Sequence, residues 1–377
     1  MRKASPVQSL RRHLSRRLAP LGLLVFALAG CASDAPQDTL KPEGPFARKI
    51  DALAKPVFYV SIAVGVFIYA LIAFCVVKFR RRSEDDVPVQ IHGSTPLEIG
   101  WTVLPALLLV VFGVLSVGRI FELSEEPKDA YHITVIGHRW WWEYQYPQAG
   151  KTELSPELKV LKDPDTGTVT GGNVVQSDPV VVTAGELHIP TNTNVRLTIV
   201  SDDVMHNYWV PKLGGKIYAI PGRFNKLSIR ADHAETYYGQ CAEFCGISHA
   251  NMRFKVVAQE RADFDAWLAN ESGAALEPVD GTDAALGQAL FNGTGGCQAC
   301  HYVASDKATE IAGKIGPNLA HIGVRKTFAG AINEFNKTNL RAWLRNPQAV
   351  KPGSRMKIGK LTEDQITQLI AYLESLK

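Results

Sequence analysis

Cysteine is scarce in this sequence, with six among 377 residues at positions 31, 75, 241, 245, 297 and 300. Six thiols so widely scattered cannot staple a fold of this size with disulfides. Methionine is scarcer still, at four, and after Met252 only Met356 remains. Acids are missing altogether from the first thirty positions, where Arg2, Lys3, Arg11, Arg12, Arg16 and Arg17 stand alone. With those six charges set aside, the formal +4 of the whole chain becomes −2, so a basic nucleic-acid-binding surface has no support. Internal repeats are absent. A charged fraction of 21% against 46% hydrophobic residues excludes a long disordered chain, and the length suggests two or three domains.

The N-terminal cations precede an apolar run, Leu18 to Ala29, in the pattern of an export signal. The run closes on Leu28-Ala29-Gly30-Cys31, where small residues before a cysteine resemble a bacterial lipoprotein box. Residues 1–30 are therefore expected to be removed and Cys31 to be the lipid-modified first residue. The plain alternative is an apolar stretch that ends in a chance cysteine. Two longer apolar segments follow. Val57 to Phe79 carries no charge before Lys78, and its 23 residues rise about 35 Å, enough to cross the hydrocarbon core. Leu97 to Ile120 has only Glu98 and Arg119 near its ends, and its Pro105 is better tolerated in a membrane helix than in a soluble one. Arg80-Arg81-Arg82 between them reads as a cytoplasmic anchor. Arg48, Lys49 and Lys55 weaken that rule, and the export signal decides the orientation: the loop at 80–96 inside, everything after Phe121 outside. Two buried core helices are the competing reading.

Beyond the second span, residues 131–257 alternate as strands do, for example at 131–136, 180–183, 195–200, 226–230 and 254–257. Turn signals at Pro147, Gly171-Gly172, Pro190, Pro211, Gly214-Gly215 and Pro221-Gly222 separate them. The pattern predicts a β-sandwich or barrel, with 150–178 as a surface insertion. A short helix at 261–269 and a linker to residue 282 lead into a helical region, 283–377. There Thr362 and Gln365 form a capping box that opens a helix with Ile366, Leu369, Ile370, Leu373 and Leu376 on one face.

Two clusters carry chemistry. In the first, Cys241, Cys245, His249 and Met252 fall within twelve residues, and His206 lies upstream. Two thiolates on one loop can bridge a pair of metal ions, with the imidazoles and the thioether completing the coordination. Thiolate and thioether are soft donors that favour copper, and structural zinc rarely uses methionine. A Cys241–Cys245 disulfide and a zinc site remain the alternatives. The second cluster is Cys297-Gln-Ala-Cys300-His301, the C-x-x-C-H pattern for covalent haem attachment, with His301 as an axial ligand. Such attachment takes place outside the bacterial cytoplasm, in agreement with export. A thioredoxin-like motif would not need His301 and would sit in a βαβ setting. Met356, after Lys351-Pro352-Gly353, is the candidate second axial ligand, and a Met/His pair raises the haem potential.

The pattern C-x-E-x-C-x-x-x-H-x-x-M with its upstream histidine resembles the binuclear copper A centre of cytochrome c oxidase subunit II. Tyr237-Tyr238-Gly239-Gln240, Pro221-Gly222-Arg223, Trp140-Trp141-Trp142-Glu143-Tyr144 and Trp101-Thr102-Val103-Leu104-Pro105-Ala106 resemble that family too. Gly316-Pro317-Asn318-Leu319 is similar to class I cytochromes c, in which a helix with a small residue, here Gly287, packs across an aromatic, here Tyr372. The resemblance implies a membrane-anchored, multidomain fold: a two-helix hairpin (57–120), an all-β cupredoxin-like barrel (121–260), a short helix and linker (261–282) and an all-α cytochrome c domain (283–377), after an exported segment (31–56). It implies copper ligands His206, Cys241, Cys245, His249 and Met252, with Glu243 ligating through its carbonyl oxygen and its carboxylate reaching a magnesium ion at a subunit interface. Trp140 falls where electrons come in from cytochrome c, and Glu98 where a carboxylate stands near the mouth of a proton path.

The function so implied is electron input to a proton-translocating, oxygen-reducing complex of the bacterial inner membrane, with the copper and haem domains on the periplasmic side. Electrons pass from an external cytochrome or other donor through haem c to copper A. From there they reach the partner subunits, I and III, the oxygen site lying on subunit I rather than on this chain. Membrane lipid is a partner and nucleic acid is not. Two readings compete: the electron-input module of a nitrogen-oxide reductase, whose nitrous oxide members lack the hairpin and the fused haem, and a membrane-tethered carrier or copper chaperone, against which the Trp101–Ala106 motif and Glu243 argue. The haem domain has twelve Lys/Arg against seven Asp/Glu, the sign of a cytochrome c docking face.

Overall fold

The computed structural model describes residues 35–81, 83, 89–90, 92–147, 156–162, 169–176, 181–303 and 315–377. The expected export signal and Cys31 lie outside the described residues. The chain divides into two units, Met1–Asp38 and Thr39–Lys377, and every element below belongs to the second.

Two long helices open it, α1 (Pro45–Lys78) and α2 (Thr95–Ser124), both long and apolar enough to cross a membrane, with Pro56 and Pro105 inside them. Most of their large apolar side chains, from Phe58 to Val77 and from Leu97 to Phe121, are exposed. Among the described residues no protein layer covers them, as expected of surface meant for lipid rather than for a soluble core. Each helix outruns its apolar run because charged residues continue it where they find partners. Lys49 Nζ lies 2.9 Å from Glu122 and joins the two helices. Arg48 pairs with Asp232 at 2.5 Å, and the backbone of Glu43 bonds with Lys212 and Asp232. Residues 45–56, expected within a separate exported segment, are thus the first turns of α1 and rest against the β-domain.

That domain is a sandwich of two five-stranded sheets. One has the order β10 (Asn225–Ile229), β7 (Val195–Ser201), β1 (Tyr131–His138), β2 (Trp141–Tyr146), β5 (Val181–Ala184); the other β6 (Glu186–Pro190), β12 (Arg253–Gln259), β11 (Thr236–Cys241), β8 (His206–Trp209), β9 (Lys216–Ala219). The pairs β1–β7 and β6–β12 are parallel and the others antiparallel, so the chain crosses between layers as sandwich folds do. Along β12 the burial alternates strictly, with Phe254, Val256 and Ala258 turned inward. Aromatic rings fill the core next to the first cluster: Tyr208 stacks on Phe254 at 4.2 Å, and Trp142 meets Tyr208 edge-on at 5.1 Å and His206 at 5.8 Å. The expected surface insertion contains its own hairpin, β3 (Pro156–Lys162) paired with β4 (Val169–Gln176), separate from both sheets.

Helix α3 (Arg261–Glu271) folds back on the sandwich, burying Phe264 and Leu268 and stacking Trp267 on His188 at 4.1 Å. The C-terminal domain is built on α4 (Asp283–Asn292), α5 (Lys337–Arg345), the single turn α6 (Pro347–Val350) and α7 (Glu363–Ser375), with a short ribbon of β13 (Thr327–Phe328) and β14 (Asn333–Glu334). The predicted capping box at Thr362 and Gln365 forms. Helices α4 and α7 cross where Gly287 has no side chain, with Phe291 against Tyr372 at 5.5 Å.

Candidate metal and haem sites

Two strands and one loop bring the first cluster together. His206 starts β8, Cys241 ends β11, and the turn from Cys245 through the single 3-10 turn His249–Asn251 returns the chain to β12. The Cys241 N–H donates to Met252 O at 2.9 Å and closes the loop at its neck. The two Sγ atoms lie 3.8 Å apart, and both thiols are free. The separation is far beyond the roughly 2 Å of a disulfide. His206 Nδ1 is 3.9 Å and Glu243 O 3.3 Å from Cys241 Sγ; His249 Nδ1 is 3.6 Å and Met252 Sδ 3.8 Å from Cys245 Sγ. All six sequence-predicted donors therefore converge, three about each thiol. His206, Cys241 and Cys245 are buried, and their donor atoms all lie within 4.8 Å of one another.

The electrostatics of the pair call for a cation. The hydrogen bond from the Cys245 thiol, aided by His206, holds Cys241 far below the usual thiol range. The same contact, with burial added, pushes Cys245 far up. One thiolate thus forbids the other unless positive charge lies between them. Soft sulfur donors flanked by two imidazoles suit copper, so the residues fit a binuclear copper group.

One neighbour of this cluster has no motif to announce it. Asp203 Oδ1 accepts from His206 Nε2 at 2.9 Å and fixes the ring with Nδ1 toward the sulfurs. Burial works against the charge on Asp203, yet hydrogen bonds from His206 and from the Val204 and Arg139 backbone bring it down to about 2. Only tertiary folding exposes its role.

In the second cluster a single 3-10 turn, Cys297–Ala299, presents both thiols, and His301 N bonds back to Cys297 O at 2.9 Å. His301 Nδ1 donates to Pro317 O at 2.9 Å, which leaves Nε2 with a free lone pair, the tautomer a metal needs. A Cβ at Gly316 would lie only 2.5–3.0 Å from the His301 ring, so only glycine lets the chain pass there. Met356 packs against the domain core, and its Sδ accepts from Trp343 Nε1 at 3.1 Å. The residues fit a covalent c-type haem.

Trp140 touches both the first cluster's loop and the C-terminal domain. It is 9% exposed, and its Nε1 donates to Cys245 O at 3.0 Å, one hydrogen bond from the paired thiols. Glu98 lies elsewhere. It occupies the first turn of α2, about 40 Å of helix from the sandwich end, and is exposed. The free thiol of Cys75 is exposed on α1 and joins neither cluster.

The two domains meet over a polar seam. Glu186 of β6 accepts from Lys326 N at 3.1 Å and Thr327 Oγ1 at 2.6 Å. Asn318 donates to Val182 O at 3.0 Å, and His321 to Gly273 O at 3.1 Å.

Residues 40–118 match the family described as cytochrome c oxidase subunit II, transmembrane domain, residues 131–259 its periplasmic domain, and residues 284–377 cytochrome c. Cytochrome c oxidase subunit 2 of Alkalihalophilus pseudofirmus is 33% identical over 371 residues, covering 96% of this chain and 97% of its own. That of Bacillus sp. strain PS3 is 33% identical over 380 residues, with the same shares of 96% and 97%. Among solved structures, the periplasmic domain of subunit II of cytochrome oxidase of Bradyrhizobium japonicum is 30% identical, covers 38% of this chain and 95% of its own, and has a TM-score of 0.29. On the full-length identity and the three matched segments, this chain belongs to the cytochrome c oxidase subunit 2 family, as a membrane-anchored oxidase subunit with a cytochrome c domain fused to its C-terminus.

Proposed function

We propose that this chain is the electron-input subunit of a haem–copper oxidase, receiving electrons at its cytochrome c domain and passing them across Trp140 to the copper loop. The observation that carries this reading is the convergence of His206, Cys241, Glu243 O, Cys245, His249 and Met252 about two thiols 3.8 Å apart, with Trp140 bonded to the Cys245 carbonyl. When bound, copper A and the haem each supply a reversible one-electron couple. The chain's own residues do the rest. Asp203 orients His206, Pro317 sets the tautomer of His301, Gly316 gives that ring room, and Trp140 spans from the seam to the copper loop. The Met356 thioether is the soft axial donor that raises a haem potential.

From the copper loop, electrons leave to the partner subunit that holds the oxygen site. Phe244 is 77% exposed beside Glu243, which places an uncovered apolar side chain next to the carboxylate assigned to the shared magnesium ion. Subunit I is the partner for that surface, and subunit III completes the complex. In this reading both domains lie on the periplasmic side of a bacterial inner membrane, Cys31 is lipid-modified, and Glu98 lies at the cytoplasmic end of α2, where a proton path would open.

Metal analysis and haem staining of the complex, purified in mild detergent, test the reading. The expected result is two coppers and one covalent haem in this chain, with haem a and oxygen uptake co-purifying. A ratio near one between copper and covalent haem, once the partner's own copper is subtracted, overturns the binuclear assignment, and a stable preparation with no large membrane partner favours a tethered carrier.

A further inference from the structure

Lys351 is the most deeply placed cation of the cytochrome domain's contact with the sandwich. It is 4% exposed, yet it lies in no described ion pair and serves none of the ligand roles above. Its Nζ donates to Trp140 O at 2.5 Å and to Ala329 O at 2.8 Å. Burial pushes its ammonium down to about 7. The contact is continuous with the copper loop. Gly330 O accepts from Arg253 N at 3.1 Å, and Pro352 O accepts from the Ser248 hydroxyl. A Cβ at Gly353 would touch Ile247 at 3.0 Å, and Gly353 has φ +86. Further along the same segment, Arg355 Nη1 lies 3.5 Å from the Asp203 carboxylate that holds His206. The segment 351–356 therefore starts on the Trp140 carbonyl, runs along the copper loop and ends at the Met356 thioether.

We propose that Lys351 is a positioning residue for electron transfer within the chain: it seats the cytochrome domain on the backbone of Trp140 and so holds the Met356 side of the haem site against the copper loop. This rests on the electron route proposed above. The lysine touches neither group directly and acts through Trp140 and through the register of 351–356. A seat of this kind also closes Trp140 to an external cytochrome, which leaves the haem domain as the place where a donor binds.

The test uses the full chain in its detergent-solubilised complex and the variants Lys351→Met and Lys351→Arg. Methionine keeps the apolar stem and removes the donors, leaving the Trp140 and Ala329 carbonyls unpaired in a buried seam, where such a loss is worth about tenfold or more in an equilibrium. In Lys351→Met, hydrogen exchange at the Arg253 amide, which bonds across the seam, should quicken about tenfold. Haem-to-copper transfer in stopped flow should slow by about the same factor, while donor-to-haem reduction, the haem spectrum and the copper resonance stay as in the wild type. Lys351→Arg, which keeps N–H donors, should fall between. Unchanged exchange, or faster exchange with unchanged haem-to-copper transfer, overturns the proposal. So does a changed copper resonance, which would mark damage at the metal site instead of lost seating. A wild type that passes no electrons from haem to copper would sink the route itself, and the exchange arm would still decide the Lys351 contact.

Discussion

Two methionines do different work at the residue scale, and a conservative change separates them. Met252 is fully buried with Sδ 3.8 Å from Cys245, whereas Met356 is half-buried and accepts from Trp343. Leucine at either position keeps the apolar volume, so fold damage should stay below about 1.5 kcal/mol. Met356→Leu removes the soft axial donor of the haem site. Its haem potential should fall and reduction by the donor should slow, with the copper domain still reducible by a small mediator. Met252→Leu should leave donor-to-haem reduction intact and stall the onward step. Stopped-flow spectra should then show reduced haem accumulating only in Met252→Leu; equal behaviour of both variants with the wild type would remove these two side chains from the ligand sets. The convergence of the six proposed copper donors and the place of His301 in its motif were legible in the sequence, because five of those donors fall within twelve residues and C-x-x-C-H is contiguous. Asp203 and Lys351 were not. Lys351 reaches Trp140 across 211 positions, and Asp203, the second of two adjacent acids before His206, resembles any turn aspartate until the ring is seen bonded to it.

Among the elements, the crossing of α4 and α7 holds the cytochrome domain together. A Cβ at Gly287 would fall on the Gln368 carbonyl and lie 2.8 Å from Tyr372 Cβ. Both obstacles are fixed parts of the facing helix, so relief requires the helices to part. Gly287→Ala should destabilise this domain by about 1–3 kcal/mol. Gly359→Ala, with nothing within 4 Å of the added carbon, is the matched control. Thermal melting followed at the haem band should shift for the first and not the second, while the copper resonance is the same in both. A melt unchanged by Gly287→Ala would mean that the close approach is not kept in solution. The sequence disclosed the kind of each element better than its ends. The capping box marked the start of α7, since Thr362 and Gln365 act locally. The first turns of α1 went unseen because Arg48 and Lys49 look like the polar end of a span until Asp232 and Glu122 arrive from distant positions.

For the whole molecule, charge and contact make opposite demands on the two electron-transfer steps proposed above. The haem domain carries twelve cations against seven anions in its sequence, an excess that attracts an acidic donor through water. That attraction is screened as the Debye length falls from roughly 30 Å at 0.01 M salt to 3 Å at 1 M. The seam with the sandwich is different in kind. Glu186 is 2% exposed and bonded to Lys326 N and Thr327, Asn318 bonds to Val182, and Lys351 is enclosed. Buried hydrogen bonds are screened little by added salt. The linker from α3 to α4 spans only residues 272–282, so a domain that lifts off remains at roughly millimolar effective concentration and reseats. Raising the salt over that range should therefore slow donor-to-haem reduction by at least about tenfold, as for steered encounters. Haem-to-copper transfer should stay nearly constant. Stopped-flow traces at several ionic strengths resolve both phases in one experiment. If the second phase slowed in parallel with the first, the domains would have to meet by charge-steered encounter, and the seam described above could not be their working contact.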